Sequence, residues 1–208
     1  MRISIVGLGL IGGSFAIDLR KAGLADALLG VETSEEHARR ALEMRLVDRV
    51  VSLPEAMRDS DALLLATPVD AIAAMLPTVL DAARPDQTVI DLGSAKLRIV
   101  ETARGHVNRA RYVAAHPMAG TENAGPDAAL EGLFRGKTVL LCDLDDSAPD
   151  ACNTAPEIFH AVGMKFEFMA SDQHDRHAAY VSHLSHVAAY ALSLAVQTEE
   201  KAGYAVPR

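Results

Sequence analysis

Ile3-Ser4-Ile5-Val6-Gly7-Leu8-Gly9-Leu10-Ile11-Gly12-Gly13-Ser14 is the stretch on which the fold turns. Its first four residues are a short run rich in β-branched side chains, the composition of a strand. A G-x-G-x-x-G run follows at once, and residues 15–22 then carry apolar side chains at helical spacing. Alone such a run is a common turn; between a strand and a helix it reads as a dinucleotide-binding loop. Gly7 permits the tight turn, Gly9 lets the backbone approach a pyrophosphate, and Gly12 lets helix and strand pack closely. The amides at the helix start, those of Leu10 and Ile11 among them, face the phosphates.

Working outward, residues 28–31 form a second strand, and Glu32 ends it twenty positions past Gly12. A carboxylate there accepts hydrogen bonds from the adenosine ribose hydroxyls and repels a 2′-phosphate. Thr33 and Ser34 follow, where an NADP enzyme often places Arg, so the pattern favours NAD. Strand-like runs recur at 62–66, 88–92, 111–115, 138–142 and 165–169. Helical patterns recur at 34–44, 70–83, 96–105 and 155–162. Ser34 is placed to cap the helix at 34–44, with Glu35 and Glu36 in its first turn. Residues 143–150 read as a solvated acidic loop. Alternating strands and helices predict an α/β fold of Rossmann type, a mostly parallel sheet with helices on both faces.

The bulk numbers set the class. With 208 residues and half of them hydrophobic, the chain can bury a core in one or two domains. A net charge of −8 argues against a nucleic-acid partner. The two cysteines, Cys142 and Cys152, have no metal-ligand spacing and suggest a reducing compartment. No apolar run is long enough to span a bilayer, and none reads as a signal peptide; the expectation is a cytoplasmic protein.

Beyond residue 170 the pattern changes. Ser171-Asp172-Gln173-His174-Asp175 reads as the cap of a helix that continues to about residue 203, and 187–196 is apolar nearly all round. A helix apolar on every face needs cover on every face. Two domains are therefore expected, a dinucleotide-binding unit over 1–170 and the first helix of a helical substrate and dimerisation unit over 171–208. That helix is expected to pack into a dimer or against chain beyond residue 208. Histidines 174, 177, 183 and 186 suggest a metal, but on a regular helix the first two point away from the last two, so no metal is expected.

His116 follows the strand-like run 111–115 and opens His116-Pro117-Met118-Ala119-Gly120-Thr121-Glu122-Asn123-Ala124-Gly125. An imidazole there can take a proton near neutral pH. Together with Gly7 to Ser14, Ala66-Thr67-Pro68, Asp91-Leu92-Gly93-Ser94-Ala95-Lys96, Asp172 to Asp175 and Ser182-His183-Leu184-Ser185-His186, this segment resembles prephenate dehydrogenase and the related arogenate and cyclohexadienyl dehydrogenases. The resemblance covers nearly the whole chain. It implies oxidative decarboxylation of prephenate to 4-hydroxyphenylpyruvate with NAD, in a homodimer built through the helical region.

It also implies roles. His116 would be the catalytic base, and Ser94 would orient the imidazole and the substrate hydroxyl, although Ser94 also suits a helix cap. Ser182 and His186 would touch substrate, and Thr121 and Glu122 would touch its side chain or order their own loop. Gly7, Gly9, Leu10, Ile11, Gly12, Glu32, Thr33, Ala66, Thr67, Pro68, Val69, Ser94 and Met118 would line the cofactor. Lys96 would neutralise the substrate or, the favoured reading, only solvate a helix face; His183 reads as a packing or interface histidine, and Asp172, Asp175 and Arg176 as capping and surface charges. The arginine that grips the substrate carboxylate in that family has no counterpart here, so the chain is expected to bind NAD and to turn prephenate over poorly or not at all. The competing expectations are an arogenate-specific enzyme, another Rossmann hydroxyacid oxidoreductase, and a non-catalytic NAD-binding regulator.

Overall fold

A computed structural model describes residues 1–201, with the backbone alone for 182, 183, 185, 186 and 199–201. The strands are β1 (Arg2–Val6), β2 (Ala27–Val31), β3 (Arg49–Val50), β4 (Ala62–Leu65), β5 (Thr88–Asp91), β6 (Tyr112–Pro117), β7 (Thr138–Cys142) and β8 (Lys165–Met169). The helices are α1 (Leu10–Ala22), α2 (Glu35–Glu43), α3 (Leu53–Asp59), α4 (Val69–Ala82), α5 (Leu97–Ala103), α6 (Pro149–Ala161), α7 (Ser171–Ala178) and α8 (Leu184–Lys201). The strands form one eight-stranded sheet in the order β3-β2-β1-β4-β5-β6-β7-β8. Each pair from β3 to β6 is parallel; β7 runs antiparallel to β6, and β8 is parallel to β7. The expected Rossmann-type, mostly parallel sheet is the fold found.

Both faces of the sheet are covered because alternate strand residues point to opposite sides. Ile3, Ile5, Leu64, Ile90 and Val113 pack beneath Phe15 and Leu19 of α1 and Ile158 and Phe159 of α6. Val6, Leu63, Leu65 and Val89 pack on the other side against Met57 of α3, Leu76 and Leu80 of α4 and Ile99 of α5. Phe15 is central to the first layer, with its ring 4.1 Å from that of Phe134 and edge-on to that of Phe159.

Several boundaries differ from expectation. The two-residue β3 and the helix α3, capped by Ser52, occupy 49–59, where sequence periodicity is too short to register. α6 begins six residues before the expected 155, with Pro149 in its first turn, where the missing N–H costs nothing. The acidic stretch before it contains a 3₁₀ turn, Leu144–Asp146. Ser171 does not cap α7 with its side chain; the cap is Asp143, whose Oδ1 accepts from the Ser171 amide at 3.0 Å.

The C-terminal helix is not one regular helix. Ala179–His183 winds as π-helix between α7 and α8. A π turn shifts the angular phase of everything after it, so the regular-helix argument that separated His174 and His177 from His183 and His186 does not apply. Among the described residues no group of three or more His, Cys, Asp or Glu could hold a metal ion, and no helix is long and apolar enough to cross a membrane.

Candidate active site

The parallel register puts four strand ends on one edge. Val6, Leu65, Asp91 and Ala114 lie in one row across β1, β4, β5 and β6. Gly7, Thr67, Ser94 and His116 all follow within three residues of that row. Neighbouring strands are roughly 4.8 Å apart, so the edge from the glycine loop to His116 spans about 14 Å. Ligands of open α/β sheets bind along such an edge.

The glycine loop is built as its spacing requires. Gly7 has φ +92°, and a Cβ there would sit 2.8 Å from the Ala66 carbonyl oxygen. A Cβ on Gly12 would collide with the Gly7 carbonyl oxygen and lie 2.9 Å from Ile5 Cγ2, so only glycine lets α1 pack on β1. Gly9 differs: the nearest atom to a Cβ there is the Gly125 amide nitrogen at 4.0 Å. The surrounding protein leaves the Gly9 backbone open, which is a cradle for an approaching ligand and no packing need. The amide of Leu8 donates to Glu32 Oε2 at 3.1 Å, while Thr33 and Ser34 donate to Oε1 at 2.9 and 3.0 Å. Glu32 thus stands at the mouth of the loop, tied to it. Ser34 caps α2 as expected, accepting from the His37 amide.

At the other end of the edge lies a chain of imidazoles and a carboxylate. His116 Nδ1 is 2.9 Å from His174 Nε2, and His174 Nδ1 is 2.7 Å from Asp175 Oδ1. His116 is half-buried and His174 fully buried. Burial holds His174 below the ordinary histidine range in spite of the Asp175 carboxylate beside it. Asp175 also accepts from the backbone amides of Lys96 at 2.7 Å and Leu97 at 3.0 Å, the start of α5. Partial burial works to raise its pKa, but these amides and His174 outweigh it and leave Asp175 below the usual carboxylate range.

Beneath this chain is a buried ion pair. Lys96 and Asp91 are both wholly buried and in contact, and Lys96 Nζ also donates to the Ala115 carbonyl at 2.7 Å. Tyr112 donates its hydroxyl to Asp91 Oδ2 at 2.6 Å, and Gly93 its amide to Oδ1 at 2.8 Å. Burial drives the Lys96 pKa down, against the pull of Asp91, and holds the Tyr112 phenol well above its ordinary value. The expectation of a solvated Lys96 is therefore overturned: its ammonium ties the turn that carries Ser94 to the strand that carries His116.

The other expected site residues fall as follows. Ser94 is exposed at the end of β5 and is not a cap: α5 begins at Leu97, and Asp175 receives its first amides. Ala66, Thr67 and Pro68 end β4, and Val69 starts α4. The Thr67 hydroxyl oxygen is buried without a hydrogen-bond partner. Met118, half-buried, is anchored by its amide to the Thr138 carbonyl at 2.8 Å. Thr121 and Glu122 lie exposed on the loop that runs from His116 back toward Gly9, and this loop packs through Pro126–Ala128 on α1 and α2. The side chains of Ser182, His183 and His186 lie outside the described residues. Asp172 pairs with Arg176 on the surface, as expected; Asp175 does not, being the carboxylate of the imidazole chain. His174 was legible only as one of four scattered histidines. The signal that would have found it is the stripe Ser171, His174, Ala178, buried at helical spacing.

Residues 15–168 match the family profile for the prephenate dehydrogenase nucleotide-binding domain, and 170–206 the profile for the prephenate dehydrogenase dimerization domain. The chain is 34% identical to a cyclohexadienyl dehydrogenase of Zymomonas mobilis, over 96% of this chain and 68% of that protein. It is 30% identical to a prephenate dehydrogenase of Bacillus subtilis, over 91% of this chain and 52% of that protein, so it spans about half the length of that relative. The structure of Aquifex aeolicus prephenate dehydrogenase in complex with hydroxyphenyl propionate and NAD+ superposes with a TM-score of 0.85 at 30% identity, covering 93% of this chain and 68% of that one. Matched by both family profiles and alike in sequence and backbone to these relatives along nearly its whole length, this chain belongs to the prephenate dehydrogenase family.

Proposed function

We propose that the protein is an NAD-dependent dehydrogenase that oxidises and decarboxylates prephenate to 4-hydroxyphenylpyruvate, in the cytoplasm, as a step of tyrosine biosynthesis. The observation that carries the reading is the single sheet edge that joins an open glycine cradle at Gly9 to the half-buried imidazole of His116. The uncrowded Gly9 and the orphaned Thr67 hydroxyl fit a dinucleotide. Gly7, Gly9, Leu10, Ile11 and Gly12 would hold its pyrophosphate, Glu32 and Thr33 its adenosine ribose, and Ala66, Thr67, Pro68, Val69, Ser94 and Met118 its nicotinamide half. When bound, NAD supplies the acceptor for the hydride on C4 of the substrate ring.

The protein's own groups do the rest. His116 takes the proton of the C4 hydroxyl, with general-base assistance worth about 10² to 10⁴ in rate. Ser94 holds that hydroxyl against the imidazole. As C4 becomes a carbonyl, the C1 carboxyl group leaves as CO2, its bonding pair passes through the ring to the C4 oxygen, the His116 imidazolium returns the proton to that oxygen, and aromatisation drives the reaction. Thr121, Glu122, Ser182 and His186 would contact the rest of the substrate. Residues 1–170 act as the cofactor unit and 171 onward as the start of a substrate and dimerisation unit. The exposed apolar side chains of α8, Val187, Tyr190, Leu192 and Leu194 among them, would be covered by a second copy of the protein.

Arogenate is the second reading, since it differs from prephenate only by an amino group in place of the side-chain keto oxygen. Titration calorimetry with NAD, followed by NADH absorbance with prephenate and with arogenate, tests both. Binding of NAD, and slow prephenate-dependent NADH that is lost in His116→Asn, is the expected result. NAD binding with no NADH from either acid sinks the dehydrogenase reading and leaves an NAD-binding regulator.

A further inference from the structure

We propose that His174 is a positioning residue for His116. Backed by Asp175, it holds the His116 imidazole as the Nδ1–H tautomer, which puts the basic lone pair on Nε2. The inference rests on the reading of His116 as the base. It starts from the far end of the chain, where Asp175 takes two backbone amides of α5 and the Nδ1 side of His174. A carboxylate so surrounded stays ionised and only accepts, so the His174 proton sits on Nδ1. His174 is wholly buried, and burial disfavours a second proton on it. Its Nε2 is then an acceptor, and the partner 2.9 Å away, His116 Nδ1, must be the donor. Solution imidazole is free to choose either tautomer; here three bonded groups choose one.

The charged and titratable groups about His174 pull in both directions, and burial outweighs the two carboxylates that favour a proton there. From its own helix there is Asp175, from β6 His116, and from below the Lys96–Asp91 pair. Cys142 of β7 is held protonated, its thiol pushed up to about 12 by burial, and Asp143 is engaged at the start of α7. Burial, with Lys96 adding to it and Asp91 and Asp175 opposing, disfavours positive charge on His174. The charge that forms when Nε2 takes the substrate proton therefore stays on His116, and the Nδ1–H bond to His174 strengthens as it forms. The arrangement resembles the way a buried carboxylate orients an imidazole in hydrolases, with a second imidazole interposed.

Long-range ¹H–¹⁵N spectra of the unmutated protein, with the His116 signals assigned by their loss in His116→Asn, are expected to show Nδ1 protonated and Nε2 unprotonated. An Nε2–H tautomer overturns the proposal. In His174→Phe the acid limb of kcat/KM is expected to move to lower pH, because the imidazolium has lost its acceptor. kcat is expected to fall about 10²-fold while the substrate KM stays within about twofold. His174→Gln, whose amide oxygen can accept from Nδ1, recovers part of the loss. A fall in kcat with the limb unmoved and the tautomer unchanged marks a merely structural histidine and also overturns it. If the unmutated protein oxidises neither acid yet shows the Nδ1–H tautomer, the proposed reaction fails while the orientation of His116 by His174 is supported.

Discussion

Gly12 of α1 faces the carbonyl of Gly7 so closely that a methyl group on Gly12 has no place to go, whereas Gly9 between them has none of its neighbours within that reach. The two positions should therefore separate folding from binding. Gly12→Ala is expected to destabilise the protein by about 1–3 kcal/mol through overpacking against Gly7, Ile5 and Ala66. Gly9 has φ −78°, which alanine adopts readily. Gly9→Ala should leave stability within about 0.5 kcal/mol while NAD affinity drops roughly tenfold or more. Thermal melting and calorimetry read the two effects independently; equal losses in both variants would contradict the distinction.

Glu32 links the second strand to the loop through the Leu8 amide. Glu32→Gln keeps the shape and removes the charge that excludes a 2′-phosphate. We expect NAD binding to weaken about tenfold, the scale of one charge-assisted hydrogen bond, and NADP binding to improve. Competitive titration with the two cofactors measures the ratio, and an unchanged ratio would remove Glu32 from cofactor choice.

The Lys96–Asp91 pair is buried on both sides. Lys96→Met leaves Asp91 without its cation and is expected to cost about 3–5 kcal/mol. Adding Asp91→Asn should recover part of that loss, so the double variant unfolds at higher urea than Lys96→Met alone. A sum of independent penalties would show that the two groups do not act as a pair.

Acid sensitivity should trace to His174. Its folded pKa is lowered from 6.5 by burial, so below about pH 6.5 the unfolded chain takes up a proton that the folded chain refuses. More protons bound in the unfolded state means that stability is full above this range and declines as pH falls through it. Urea midpoints measured from pH 8 to pH 5 are expected to fall in this way, and His174→Phe to flatten that part of the curve. Asp150 acts in a separate window: its bond to Arg111 holds it down to about 2, so its contribution is kept until pH drops below the ordinary carboxylate range.

α8 carries Val187, Tyr190, Leu192 and Leu194 with more than half of each side chain exposed. Sedimentation velocity is expected to show a dimer of this protein, and Tyr190→Asp to shift it toward monomer without altering NAD affinity. Monomers at every concentration would rule out a second copy as the cover for this face.

Most of the cofactor end of the edge was legible because its information is local. A glycine run, its strand and its helix lie within twenty-two residues, and the unbroken apolar run of β4, buried at every residue, reads as a strand covered on both faces. The reversal of β7 was not legible, since a pleated strand shows the same period in either direction. The short β3 and α3 escaped because two and seven residues carry too little pattern. The phase of the C-terminal helix escaped because its π turn has no sequence signature that periodicity can read.

By itself the sequence determined the fold class, the glycine cradle, the placement of Glu32 at the end of β2 and of His116 at the end of β6. Each follows from residues adjacent in the chain, whose backbone preferences and spacing act before any long-range contact. Only the tertiary structure decided that Lys96 points inward to Asp91 and that Asp175, 78 residues beyond Leu97, caps α5. It alone placed His174 between Asp175 and His116. Those three outcomes depend on burial: a lysine, an aspartate and a histidine are ordinary surface residues until packing removes water, and then each must find its partner wherever the fold has brought one.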